Sequence, residues 1–412
     1  MSAHVRHAGA RMSGFSMVEL MVAIVLGLLV TDALVAMFVG VRSASRMSSG
    51  VAALSDSGRF ALDTIEENVR GAGNFACNST APVSVAGTQV IRQVSLLNVG
   101  GSPLVSDFGD PVAGYEAVGT GPGAALAIPN TPVDDTGNTG DWASTNTLGN
   151  VLDGALGTPP TPVGQAGAVG HIVQGSDVLV IHESQASIPP AYTTNVATGA
   201  GAFFITSNST FSGVGQIAAI TNCVQTEVFQ VGSFNAGSGQ VTLGGATPGN
   251  TAGTLSGNID FTIGSQVVPA DTVVFYIGIG EDGDGALFRW ETNGGVIGVA
   301  DGHSVNEELV PDVENMQILY GVETAVSAST QTVAQYVTAD KVQNTSITGD
   351  FNGVISVKVA LLVASPPGAV PTGTVAAASP PDLLGDTWTL GAPDGRMRKV
   401  YEQTMFLRNM SP

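Results

Sequence analysis

Glu19 is the residue that most needs a chemical explanation, being a carboxylate set four residues into an almost wholly apolar run from Phe15 to Val41. At the centre of a membrane helix a charged side chain costs ~2.5–3.5 kcal/mol on insertion scales and is functional by default. Such a group is tolerable only where a cation or hydrogen-bond donors meet it. Cys77 and Cys223 are the only cysteines, and they lack the CxxC spacing of a zinc or redox site. They read as one disulfide or as two thiols, and in an oxidising compartment the pair is the economical reading. Glu281-Asp282-Gly283-Asp284-Gly285 gathers three carboxylates. Asp282 and Asp284 are weak candidates for a hard cation such as Ca²⁺, which takes oxygen ligands. The segment lacks the longer series ending in glutamate of an EF-hand, so a solvated hairpin turn is expected there. His182-Glu183 and Glu307-Glu308 are expected as surface charges, because no HExxH, GxSxG or P-loop accompanies them. Five histidines and no nucleophile–base pattern give no support to catalysis, and no cofactor is expected.

The whole chain sets the frame for these residues. It has 412 residues, 34 acidic against 14 basic side chains and a formal charge of −20. A nucleic-acid partner would meet a negative surface with few Lys or Arg to displace its counterions, so direct nucleic-acid binding is not expected. With 54 glycines and only 12 % charged residues, one large β-rich domain with long loops is expected.

Ahead of the apolar run, residues 1–14 carry Arg6 and Arg11 and no acid. The 27-residue run would span ~40 Å as a helix, more than a ~30 Å hydrocarbon core. A secretory signal has an apolar region of about 7–15 residues and an A-x-A-like cut, and neither fits Ala33 and Ala36 in a run this long. Basic residues before the span place the short leader in the cytoplasm and the rest outside, although Arg42 and Arg46 weaken the asymmetry. From Arg42 the chain continues as an amphipathic helix, with Val51, Leu54, Ala61, Leu62, Ile65 and Val69 on one face. Gly50 and Gly58 mark places where it could bend, and Gly71-Ala72-Gly73-Asn74 supplies the stop. Strands are expected at 177–182, 224–231, 272–278, 287–290, 316–320, 354–363 and 399–407, joined by Gly-rich turns. The class is therefore α+β. Residues 98–170, rich in Gly, Pro, Thr, Asn and Ala, read as loops.

The string Gly14-Phe15-Ser16-Met17-Val18-Glu19-Leu20 resembles the processing site of type IV pilins and pseudopilins. That resemblance implies cleavage by a prepilin peptidase after Gly14, N-methylation of the new terminus at Phe15, and pairing of Glu19 with a neighbouring subunit's terminal amine. It implies a leader (1–14), an assembly helix (15–41), an amphipathic continuation (42–72) and a β-rich exported domain (73–412). Asp32 departs from the usual apolar pattern; it either faces a partner subunit or lies where the helix leaves the bilayer. Gly58–Leu62, Arg70–Cys77, Gly175–Val180, Leu287–Trp290, Glu308–Gly321 and Tyr401–Asn409 resemble PilW-type minor pilins, and against that pattern 98–170 and 191–215 look like loop insertions. The resemblance implies an inner-membrane precursor that enters the pilus at or near its tip. Other minor pilins, the major pilin and a tip adhesin would be its partners, in support of adhesion, twitching motility or DNA uptake. Alternative readings are a J-type minor pseudopilin of type II secretion and a membrane-anchored surface-binding protein.

Overall fold

A computed structural model describes residues 16–79, 83–85, 88–90, 93–97, 107–129, 131–133, 169–185, 188–197, 199–206, 214–244, 249–257, 259, 261–292, 305–323, 332–344, 347–348, 351–370, 382–390 and 394–408. Helix α1 (Met17–Gly71) is a single 55-residue element, ~80 Å long at 1.5 Å per residue. No proline interrupts it, so the apolar run and its amphipathic continuation form one rod. At its end Gly73, with φ 69°, turns the chain, and its N–H donates to the His182 carbonyl at 2.8 Å.

Only the second half of α1 is covered by protein. Gly50, Leu54, Gly58, Ala61, Leu62, Ile65 and Val69 are buried, the three-and-four spacing of one helix face. Val51, expected on that face, is 50 % exposed, because Gly50 and Leu54 take the contact where rod and domain first meet. The two glycines are sites of close approach. A Cβ at Gly50 would stand 2.8 Å from the Ala369 Cβ, and one at Gly58 would stand 2.5 Å from the Tyr401 ring. Gly58→Ala should therefore destabilise the chain despite gaining ~1 kcal/mol of helix propensity, since overpacking costs ~1–3 kcal/mol. Gly27→Ala, with nothing within 4 Å of its Cβ, should not. Urea denaturation of the detergent-solubilised protein checks the pair. Equal midpoints for the two variants would contradict the packing argument.

The domain is built from β1 (Val112–Tyr115), β2 (Ala125–Ile128), β3 (Val178–Ser184), β4 (Ala191–Asn195), β5 (Ala202–Ile205) and β6 (Ile217–Thr221). There follow β7 (Thr226–Asn235), β8 (Gln240–Leu243), the 14-residue β9 (Gln266–Ile279), β10 (Gly285–Glu291) and β11 (Val305–Pro311). The last strands are β12 (Val313–Glu323), β13 (Val333–Val337), β14 (Val354–Ala364), β15 (Thr387–Leu390) and β16 (Arg398–Phe406). Strand β9 serves two neighbourhoods. Its later residues pair with β3 on one side and β10 on the other, and β1 and β11 extend that sheet, all antiparallel. After a corner at Asp312 (φ 63°), a second antiparallel sheet runs β13-β12-β14-β16. Helix α1 lies on β14 and β16, and its buried face joins the main core with Val357, Val359, Leu361 and Met405. Alternation sends Leu319, Ala360 and Leu362 to the opposite face, where the parallel β2–β15 ribbon covers them with Leu126, Ile128 and Trp388.

The first residues of β9 pair with β4 and with β6. Strands β6, β7, β8, β5 and β4 pair in turn, so six antiparallel strands close into a ring. Phe203, Ile205, Ile220, Phe229, Val231, Val241 and Val267 form its own core, with Phe203 edge-on to Phe229 at 5.7 Å. The 191–215 stretch, expected as a loop insertion, thus supplies two strands of a small barrel. Each presents only two or three inward residues, too few for a visible period; ring closure provides the hydrogen-bond partners instead. In the other expected insertion, 98–170, strands β1 and β2 are present, while 98–106 and 134–168 lie outside the described residues.

Candidate assembly helix and the charge clusters that hold its domain

From Met17 to Val41 every large apolar side chain of α1 is 52–82 % exposed. This part has a mean hydropathy of 2.6 over an 18-residue window and none of it is buried by the domain, so it is long and apolar enough to cross a membrane. Glu19 stands in its first turn, where the positive end of the helix dipole favours a carboxylate. Gly14 and Phe15, the expected cut site, lie outside the described residues.

A covalent clamp lies where the helix enters the domain. Cys77, six residues past the end of α1, is bonded to Cys223, with Cα atoms 5.0 Å apart. Cys223 sits at the tip of the β6–β7 hairpin with φ 66°. Thr221 Oγ1 accepts its N–H at 3.1 Å, and Asn222 Oδ1 accepts those of Val224 and Gln225 at 3.0 and 2.8 Å. The hairpin tip is held in this left-handed conformation by its own side chains. Barrel and helix end are thereby tied together.

The acidic turn is a β9–β10 hairpin, closed by the Gly280 N–H donating to the Asp284 carbonyl at 2.7 Å and by Gly283 at φ 85°. Asp282 and Asp284 meet Asp312, with one carboxylate oxygen of each within 4.8 Å of the others. Arg396 supplies the positive charge: it bonds Asp312, bonds Asp284 at 2.8 Å, and donates Nε–H to the Ser365 carbonyl at 2.8 Å. Two residues on, Arg398 forks onto Glu314 at 2.6 and 2.8 Å and onto Asp394 at 2.5 and 3.1 Å. With side chains only 6 % and 3 % exposed, these arginines stitch the β9–β10 turn and β12 to the entry of β16. Neither arginine stands out in the sequence. Their two-residue spacing at the start of a strand was the available signal, but it does not name their acidic partners.

His182, expected at the surface, is interior, and Glu183 is half-buried. Strand β3 is paired along both edges, by β1 and β9, and Phe108 and the end of α1 pack against its last residues. His182 is fully buried, its Nδ1 2.6 Å from the Asp110 carbonyl and its ring 4.6 Å from Phe108. A Glu183 carboxylate oxygen fills the space a Cβ at Gly71 would need, at the last residue of α1. Burial first, then the charges of Asp271 and Glu291, push Glu183 up to about 8, against the opposing pull of Arg289. A second acidic centre joins loops around β12. Asp177 accepts N–H bonds from Ala117 and Ile318 at 2.9 and 2.8 Å, and Glu116 accepts from Thr120 at 3.0 Å and Ala339 at 3.3 Å. Burial raises Glu116 to about 7 and Asp177 well above the usual carboxylate range. Glu307 is exposed, as expected; Glu308 accepts the Glu281 N–H at 3.0 Å.

The class defined by this arrangement is a rod apolar enough to anchor in a membrane, with its far half docked on a disulfide-clamped β domain. The model of the family described as type IV pilus-assembly protein W matches residues 274–409, which is 136 of 412 residues. That part is similar to PilW-type proteins and supports involvement in type IV pilus assembly. It covers the later half of β9 through β16, including both arginines, and leaves α1 and most of the barrel outside. No curated protein matches the chain.

Proposed function

We propose that this protein is a minor type IV pilin of the PilW type. In this reading it is made as a prepilin, cut after Gly14 and N-methylated at Phe15. Held in the inner membrane by the first half of α1, it is then drawn into the pilus at or near the tip. There, with other minor pilins, the major pilin and a tip adhesin, it helps initiate assembly and supports adhesion, twitching motility or DNA uptake. The observation that carries the reading is the PilW-family match over 274–409, on the same domain that presents an uncovered apolar rod. Cutting at Gly14 would create an ammonium at Phe15 four residues from the depth of Glu19, and a neighbour's ammonium there would neutralise that carboxylate.

Intact mass of the mature protein tests processing: the chain should begin at a methylated Phe15, and a start at Met1 or near residue 36 would refute it. Glu19→Ala should leave cleavage intact and reduce incorporation into pili at least tenfold. Unchanged piliation would remove the role given to Glu19. Co-purification with secretion components in place of pilins would favour the pseudopilin reading.

A further inference from the structure

We propose that Asp32 pairs with a basic side chain on the apolar N-terminal helix of a different pilin-type subunit, and so selects this protein's neighbour in the membrane. The inference rests on the pilin reading above and extends it to the partner's chemistry.

Depth is the first argument. Arg42 is the first charged residue of α1 after Asp32. With Arg42 at the outer boundary, a ~30 Å hydrocarbon core covers about 20 helical residues, roughly 22–41. Asp32 then lies ~15 Å below Arg42, at mid-depth, whereas Glu19 falls at the inner boundary. A carboxylate on one methylene cannot reach either interface from there, unlike a long Lys or Arg side chain. Sliding the helix outward to free Asp32 would push Val35, Met37, Phe38, Val39 and Val41, all more than half exposed, into water.

Among the described residues nothing meets Asp32. It makes no hydrogen bond or ion pair with any described residue, and the positions one turn away are Leu28, Leu29, Val35 and Ala36. Adjacent Thr31 solves the same problem internally by donating Oγ1–H to the Gly27 carbonyl at 2.7 Å. Asp32 is thus the mid-depth polar group left for an external donor.

Azimuth and composition identify the donor. Thirteen residues at ~100° each place Asp32 about 140° around the helix from Glu19, so a neighbour set against Glu19 does not also face Asp32. A second copy at the same depth presents the same span, with a second Thr31 and Asp32 but no basic side chain, and would bring Arg42 to Asp32 only by shifting ~15 Å along the axis. The complementary group is therefore a Lys or Arg within another subunit's apolar span.

A photo-crosslinking residue at Leu28, one turn below Asp32 on the same side, reports the neighbour in intact membranes of cells making the full chain. The expected adduct joins a pilin-type helix with a Lys or Arg in its apolar span. Its yield should fall at least fivefold on Asp32→Leu and be retained on Asp32→Glu, with membrane level and mature mass unchanged. An adduct insensitive to Asp32→Leu, an adduct with a second copy, or a partner span without a basic residue would each overturn the proposal. The pilin reading fails separately, if the mature chain does not begin at Phe15.

Discussion

Replacing Cys223 with serine is expected to lower the stability of the β domain by up to ~5 kcal/mol, the largest single loss anticipated here. The bond closes a loop across a sequence separation of 146 residues. In the chain-entropy model a loop of that length restricts the unfolded ensemble by ~5 kcal/mol, and loss of native disulfides costs about 2–5 kcal/mol. The position adds to the expectation, because the clamp joins the end of α1 to the barrel through a hairpin tip held at positive φ. Urea midpoints with and without dithiothreitol provide the check. Reductant should shift the native protein to the midpoint of Cys223→Ser and leave the variant unmoved. A native protein indifferent to reductant while its thiols titrate as free would contradict the role of the bond.

The second expectation is an unusual pH profile. Glu183 keeps its proton in the folded chain up to about 8, against 4.5 as the ordinary value. Between those pH values the folded state binds a proton that the unfolded chain has released, so the contribution of Glu183 to stability is fully present below ~4.5 and is lost as pH rises to about 8. At ~1.4 kcal/mol per pH unit the upper bound is ~5 kcal/mol, reduced by the partial access of Glu183 to water. Glu116 and Glu227, each raised to about 7 first by burial, act with the same sign over a narrower window. Facing Glu183 are Asp271 and Glu291 on β9 and β10, Glu67 on α1, and Arg289 as the opposing cation. The terminal carbonyls of α1 add a negative field beside Gly71. Glu183→Gln should flatten much of the decline and raise stability at pH 8.5 by a few kcal/mol, read from thermal melts at pH 5, 7 and 8.5. A variant with the native slope would place the dependence elsewhere.

Much of the architecture follows from local pattern. A 27-residue apolar run after a basic leader, followed by a three-and-four stripe without proline, specifies α1 before any contact is known. Runs such as Val354–Val363 and Thr272–Gly278 are apolar enough to be central strands, and they are. Short strands differ. Ala191–Asn195 and Ala202–Ile205 gain stability only from the ring that closes around Phe203 and Phe229, and closure depends on partners up to 76 residues away in sequence. Charged residues diverged for the same reason. His182 and Glu183, at the end of a strand run, read as surface charges, but Phe108 packs on the first and the end of α1 meets the second.

The sequence alone determined the rod, its lone carboxylates at Glu19 and Asp32, the two cysteines and the α+β class, because each depends on residue type and spacing along one segment. Tertiary structure decided which acids meet Arg396 and Arg398, that Gly50 and Gly58 are contact points where bends were expected, that a barrel hangs on β9, and that Glu183 is driven to keep its proton. Those outcomes depend on groups distant in the chain arriving within a few ångströms, where desolvation and charge act together, and no local period records that meeting.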